Sequence, residues 1–245
     1  AKQFLKYCEA CLVKNADLVI CDSIHIEKYI QKTYPQTRGR TKYIAYGADI
    51  IPSLLTDDAA KWKEWRERFD IRPEEYYLIV GRFVPENNFE TMITEFMKSN
   101  TKKDLVIITN VEKNKFYLKL RKKTGFDRDK RIKFVGTVYD QDFLKKIREC
   151  AFAYLHGHEV GGTNPSLLEA MASTKVNLLL DVGFNREVGG DGALYWGKKL
   201  GELQQLIDEV SEKNIQLKES PCKKRIEKEF SWSQICDEYE KAFDI

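Results

Sequence analysis

The sequence predicts an α/β protein built on a doubly wound parallel sheet. Three observations carry that prediction. Short apolar runs such as "YYLIV" (76–80), "LVII" (105–108) and "NLLL" (177–180) lack polar alternation, the pattern of strands buried on both faces. Most strand runs are followed by a stretch of helical period, such as "NFETMITEFMKS" (88–99). Glycine or a small polar residue closes the strand runs, and right-handed crossovers then place helices on both sides of the sheet.

Taken in order, "DLVIC" (17–21) reads as a strand ending in Asp22-Ser23, a cap for the helix "IHIEKYIQKTY". Pro35 and Gly39 break the pattern, and "TKYIAYG" (41–47) reads as the next strand. "DDAAKWKEWRERF" (57–69) has helical spacing, with Asp57 or Thr56 as its cap. Strands follow at 76–82, 104–109, 131–136 and 151–157, each with a helix after it, then at 175–182, and "ALYW" (193–196) makes a short final strand. The last fifty residues read as mostly helical, ending in "WSQICDEYEKAF". No tract is repeated or of low complexity.

The 245 residues carry 41 basic and 38 acidic side chains, a net charge of +3. That balance argues against a dedicated nucleic-acid binder, whose footprint is a concentrated basic face. Basic clusters at 119–125 and 222–228 read as solvated helix faces or as contacts with an anionic membrane surface. No apolar run approaches the roughly 18 residues that span a bilayer, and no signal peptide is expected at the start. Cys8 and Cys11 form a C-x-x-C, but no second ligand pair follows at zinc-site spacing. Most of the six cysteines read as small core residues of a reducing compartment. "DRD" (127–129) holds paired acids in a charged turn, a weak metal signal.

In open parallel sheets, ligands bind beyond the C-terminal ends of the strands. Gly81-Arg82, Thr109-Asn110, Gly136-Thr137, His156 to Asn164, and Gly183 to Arg186 all fall there. The densest segment is "HGHEVGGTNPSLLEAMA" (156–172). Pro165 suits a first helical position, with Asn164 or Thr163 as the cap. A helix start with free N–H groups carries about half a positive charge and attracts phosphate. Gly161 and Gly162 allow close backbone approach, while Glu169 and Glu159 suit hydroxyls on either side. The layout fits a sugar, a phosphate and a nucleoside across one helix start. It also fits a well-capped strand–turn–helix with two solvated acids. Arg82 offers a fork of donors for phosphate oxygens or a surface ion pair. His158 reads as a group acting on donor or acceptor, or as a structural hydrogen-bonding residue.

Together these residues resemble the donor-binding half, a Rossmann-like C-terminal domain, of a two-domain (GT-B) glycosyltransferase of the family 4 kind. "LIVGRFVPENNFETMITEF", "IKFVGTVYDQDFLKKIRECAFAYLHG", "HEVGGTNPSLLEAMA", "FNREVGGDGALYW" and "FSWSQICDEYEKAF" carry the resemblance, over roughly residues 15 to 245. More narrowly, "HGHEVGGTNPSLLEAMA" and "FNREV" are similar to a bacterial subgroup that includes rhamnosyltransferases of capsule and cell-surface polysaccharide assembly. Two departures stand out. Nine residues separate Glu159 from Glu169 where the family usually has seven, and Asn87 stands where the family usually carries a lysine. Arg186 is the residue expected to supply the missing cation.

The resemblance implies sugar transfer of the hexosyltransferase type from a dTDP- or UDP-sugar, with retention of configuration and no required metal or cofactor. The implied acceptor is a glycan or lipid-linked oligosaccharide at the inner face of the cytoplasmic membrane, with peripheral membrane contact and no nucleic acid. The implied catalytic set is Glu159, Arg82 and His158. Arg82 would hold the diphosphate, and amides from Thr163 through Asn164 to Ser166 would hold phosphate. Glu159, Gly161 and Gly162 would meet the donor sugar, Glu169 the ribose, and Gly136 with Val138 the base. Gly81, Asn87, Leu168 and Arg186 complete the donor-binding set. The implied organisation is a remnant of the acceptor-binding domain over 1–38, a donor-binding domain over 39–230, and a helix at 231–245 returning toward the first domain. On this reading the chain alone binds nucleotide but transfers little sugar. A non-catalytic nucleotide- or partner-binding module of the same fold, or a flavodoxin-like regulatory domain, are the competing readings.

Overall fold

A computed structural model gives the architecture and describes residues 2–213 and 220–243. The chain opens with α1 (Lys2–Asn15), β1 (Val19–Cys21), α2 (Ile24–Thr33) and β2 (Thr41–Tyr43). β1 and β2 pair in parallel as a two-stranded sheet. The larger layer then runs α3 (Ala60–Phe69), β3 (Tyr76–Val80), α4 (Phe89–Lys98), β4 (Asp104–Ile108), α5 (Lys115–Thr124), β5 (Ile132–Gly136) and α6 (Gln141–Glu149). It continues with β6 (Ala153–His156), α7 (Pro165–Ser173), β7 (Asn177–Leu180), α8 (Gly183–Gly189), β8 (Leu194–Trp196), α9 (Glu202–Glu212), α10 (Pro221–Glu229) and α11 (Trp232–Phe243). Of the segments expected to be helical near the end, residues 214–219 lie outside the described residues.

The predicted fold class holds. Six parallel strands take the order β5–β4–β3–β6–β7–β8. Alternate side chains of each strand enter opposite cores. Tyr76, Leu78, Val106, Tyr154 and Leu179 meet α3, α6, α7 and α10 through Trp62, Ile147, Leu167 and Ile226. Tyr77, Ile79, Leu105, Leu155 and Leu178 meet α4 and α9 through Phe96, Ile93 and Ile207. Two tyrosines next to each other in β3 tie the layers through polar tips. The Tyr76 hydroxyl donates to Ile147 O on one face, and the Tyr77 hydroxyl donates to Ile207 O at 3.1 Å on the other.

Chain order reverses between β3 and β6, so the loops that follow these two strands diverge and leave a crevice at their C-terminal ends. Asn88, at φ 54°, bridges that crevice: its Nδ2 donates to Gly157 O at 2.8 Å. Asparagine tolerates this left-handed backbone, and it caps α4 without a side-chain bond because its amide is engaged across the gap. Gly157 lets the loops close, since a Cβ there would stand 2.5 Å from Asn87 O.

Helix starts follow the sequence where a local cap is present. Ser23, Asn114, Asp140 and Asn164 each accept from an amide of the first turn. The expected cap of α3 is a correction. That helix begins after Ala59 with no side-chain cap, because Asp57 pairs with Lys146 at 2.6 Å and Thr56 Oγ1 donates to Asp58. Among the described residues no helix is long and apolar enough to cross a membrane.

Glu187, on α8, joins the two sheets. Its carboxylate accepts from Ser23 Oγ at 3.0 Å, Ile24 N at 3.0 Å and His25 Nδ1 at 2.9 Å. It therefore caps the start of α2 from a distance of some 160 residues along the chain. Burial and the same carboxylate push the Tyr43 phenol upward. From the other end of the chain, Phe230 O accepts from Ala48 N at 2.9 Å, and Gly47 packs against Trp232. Replacing Glu187 by alanine strands three donors, so unfolding free energy falls by about 2–4 kcal/mol. Urea denaturation measures this, and a loss within the roughly 0.5 kcal/mol typical of surface substitutions refutes the bridging role.

Candidate functional site

The crevice between β3 and β6 collects most of the residues singled out in the sequence. β6 delivers His156 at its end, the chain turns through Gly157 to Asn164, and α7 begins at Pro165. Asn164 Oδ1 accepts from Leu167 N at 3.3 Å, as the capping pattern predicts. The amides of Gly162, Asn164 and Ser166 have no acceptor among the described residues. Free amides at a helix start form a site for an anion. Thr163 is a correction to the expected set. Its N–H at 3.3 Å and its hydroxyl both donate to Asp22 O, so neither is open to phosphate. Asp22 also presses on the loop, where a Cβ at Gly162 would meet its Oδ1 at 2.1 Å.

Arg82 lies at the opposite wall, exposed and without an ion pair among the described residues. Asn87 fixes the turn that presents it. Asn87 is buried and its Nδ2 donates to Arg82 O at 2.8 Å, so it does not take the place of a phosphate-facing cation. Arg186, expected to supply that cation, is also a correction. Its Nε and Nη2 both donate to Asp181, the second at 2.7 Å, and the guanidinium lies 4.2 Å over the Tyr195 ring. Leu168 is fully buried in the core, so only its backbone borders the loop. Gly136, at φ 79°, closes β5 with its carbonyl accepting from Thr109 N at 3.0 Å. Val138, next to it, packs against the core.

Two histidines stack beneath Arg82. The His156 and His158 rings lie 4.5 Å apart at 14°, and His158 Cε1 would stand 3.3 Å from a Cβ at Gly81. Burial, with the adjacent His158, drives His156 well below the ordinary histidine range. Burial, with the nearby Arg82 charge, pushes His158 down to about 4. Both rings are therefore neutral at pH 7. The stack is held in place from behind, where Asn185 Nδ2 donates to His158 O at 3.1 Å.

The two glutamates lie on different sides of the loop. Glu159 reaches the loop after β8, where it pairs with Lys198 at 2.5 Å and accepts from Asn88 Nδ2 at 3.4 Å. The Lys198 bond holds its carboxyl below the usual carboxylate range. Glu169 pairs with Arg148 of α6 at 2.6 Å. The structure thus brings together Gly81, Arg82, His158, Gly161, Gly162, Asn164 and Ser166, and turns each acid toward its own cation. Lys198, Arg148 and Asn88 escaped sequence reasoning, and Asp22 was read only, with Ser23, as a cap for α2. Lys198 alone carried a signal, its place just beyond a strand end. The acids of "DRD" are engaged locally, Asp127 by Arg121 at 2.8 Å and Asp129 by Arg131 at 2.7 Å.

The sequence profile described as "Glycosyl transferases group 1" matches residues 62–228. The chain belongs to that family. A domain of unknown function (DUF1972) matches residues 1–49. No curated protein matches the chain. Among solved structures, the chain is similar to Anabaena Alr3699/HepE, crystallised in complex with UDP, at 16% identity and TM-score 0.76, over 95% of this chain and 65% of that one. It is similar to sucrose-phosphate synthase from Thermosynechococcus elongatus at 17% identity and TM-score 0.76, over 96% of this chain and 60% of that one. It is also similar to a glycosyltransferase from Rickettsia africae at 13% identity and TM-score 0.79, over 99% of this chain and 66% of that one. At these identities the likeness is one of fold. The chain spans about 65% and 60% of the length of the first two.

In this group 1 glycosyltransferase domain the histidine stack has a consequence for stability. The unfolded chain protonates these rings below about pH 6.5. The folded chain holds His158 neutral down to about 4. The unfolded state binds more protons in that window, so stability falls as pH drops from about 6.5 to 4. A melting temperature followed across that range falls in the wild type and falls less in His158→Gln. Equal slopes in the two proteins refute the assignment.

Proposed function

We propose that the chain is the donor-binding portion of a retaining glycosyltransferase, which moves a sugar from a nucleotide-diphosphate sugar to a glycan or lipid-linked acceptor. The observation that carries this reading is the set of amides at Gly162, Asn164 and Ser166 with no acceptor among the described residues, in the same crevice as Arg82, which has no ion pair among them. Family membership supports it. So does the fold shared with HepE, which was crystallised with UDP and with UDP-glucose.

Departure of the nucleoside diphosphate concentrates negative charge on phosphate oxygens. Fixed amides, the positive end of α7 and the Arg82 fork meet that charge without reorganising, which lowers the barrier. No metal enters this scheme. A neutral His158 beside Arg82 adds a ring N–H without a second full charge competing for the same oxygens. Glu159 acts on donor-sugar hydroxyls once Lys198 exchanges partners. Glu169 takes the ribose, and the Gly136–Val138 loop lies beside the base. The donor is a dTDP- or UDP-sugar, and the sugar is rhamnose on the resemblance of residues 156–172 and 184–188 to the bacterial subgroup of capsule and cell-surface assembly. The setting is then the cytoplasm, at the inner membrane face. With about a third of the HepE length lying beyond the match, residues 1–245 alone bind nucleotide and transfer little sugar.

The pairing of Glu159 with Lys198 favours one second reading, a nucleotide-binding module without transfer activity. Calorimetry with UDP, dTDP and GDP tests the shared core of both. Arg82→Ala weakens the preferred nucleotide by about tenfold or more, the worth of a charge-assisted hydrogen bond. Equal binding by wild type and Arg82→Ala refutes the site. Glu159→Gln separates the readings in the full-length protein: it lowers sugar transfer in an enzyme and leaves nucleotide affinity near wild type.

A further inference from the structure

Arg148 is a buried charge that the donor-binding scheme leaves unexplained. It lies near the end of α6, 3% exposed, and nothing in "KKIREC" marks it. A guanidinium taken out of water needs compensation, and its Nε has no partner among the described residues. Its Nη2 donates to Glu169 Oε2 at 2.6 Å and to Ser166 Oγ at 3.3 Å. Charge balance alone would be served by an enclosed carboxylate with both oxygens bound. Glu169 is instead 40% exposed at its side chain, and it is held through one oxygen only. Its Oε1 has no partner among the described residues.

The same guanidinium touches Ser166, whose amide is one of the open donors at the helix start. Ser166 Oγ lies 3.4 Å from the Tyr154 hydroxyl, which donates to Val80 O at 3.3 Å, one residue before Gly81-Arg82. A partly buried chain of polar contacts therefore runs from the β3 end, through Tyr154 and Ser166, to Arg148 and Glu169. It links the two walls of the crevice to one rigid fork.

We propose that Arg148 is a positioning residue: by fixing one oxygen of Glu169 it aims the other at the ribose hydroxyls of the bound nucleotide. The inference rests on the nucleotide reading above. It predicts an effect confined to ligands that carry those hydroxyls.

The test compares binding of UDP and dTDP with their 2′,3′-dideoxy counterparts by calorimetry, alongside the melting temperature of each protein. The wild type prefers the hydroxyl-bearing nucleotide by about tenfold or more, the worth of a hydrogen bond to a charged group. Arg148→Met brings the preference to about twofold or less, and so does Arg148→Lys, which keeps the charge but not the fork. If Arg148→Met does not fold, Arg148→Lys carries the comparison. Adding Arg148→Met to Glu169→Gln leaves the preference where Glu169→Gln alone puts it, because both act through one contact. A preference that stays at the wild-type value in the folded Arg148 variants overturns the proposal, as does a wild type that binds UDP and its dideoxy form equally. A wild type that binds no nucleotide overturns the functional reading itself.

Discussion

The hydrogen bond from Asn88 to Gly157 O, with the absent side chain of Gly157, is the constraint on which the crevice depends. Chain reversal between β3 and β6 would otherwise let the two loops splay. That bond and the missing Cβ, with the bond from Glu159 N to Glu86 O at 3.2 Å, hold them at close range, and the candidate residues on these two loops inherit their positions from that closure. Asn87 then turns inward and shapes the turn at Arg82, while the carbonyl side of the β6 loop is held by Asn185. The loops meet as two short rigid pieces, with the open amides of the α7 start on one side and the arginine on the other.

Charge in the crevice is arranged by pairing at the edges and by neutrality in the middle. Glu159, Glu169 and Asp181 each face a cation from another element or a later turn. The histidines in the centre are kept uncharged by burial. Arg82 and the open N–H groups are the positive elements left without an ion pair among the described residues, with the Asp22 carboxylate beside the Gly162 end of the turn. Arg82 and the helix start favour an anion on the side of the turn away from Asp22.

The alternation of apolar strands with periodic helices was legible because it is written in consecutive residues, and so were the caps at Ser23 and Asn164. The cap of α3 was not, since Asp57 is drawn away by Lys146, 89 residues further on. The same physics divides the site. Arg82 and the Gly161–Ser166 turn were readable from strand ends and from proline at a helix start. Lys198 against Glu159, Arg148 against Glu169 and Asp22 against Thr163 come from distant segments, and no local pattern encodes them. Arg186 shows a nearer failure: Asp181, five residues away across a strand end, claimed it before any ligand could.

The cap that Glu187 gives to α2 bears on how the chain is made. α2 has ten residues, below the length at which an isolated helix is stable in water. Its outside acceptor lies 163 residues downstream of Ile24. A ribosome therefore releases α2 long before the residue that finishes its first turn has been synthesised. Until α8 has docked, α2 has its own Ser23 cap but lacks the distant carboxylate that meets Ile24 N.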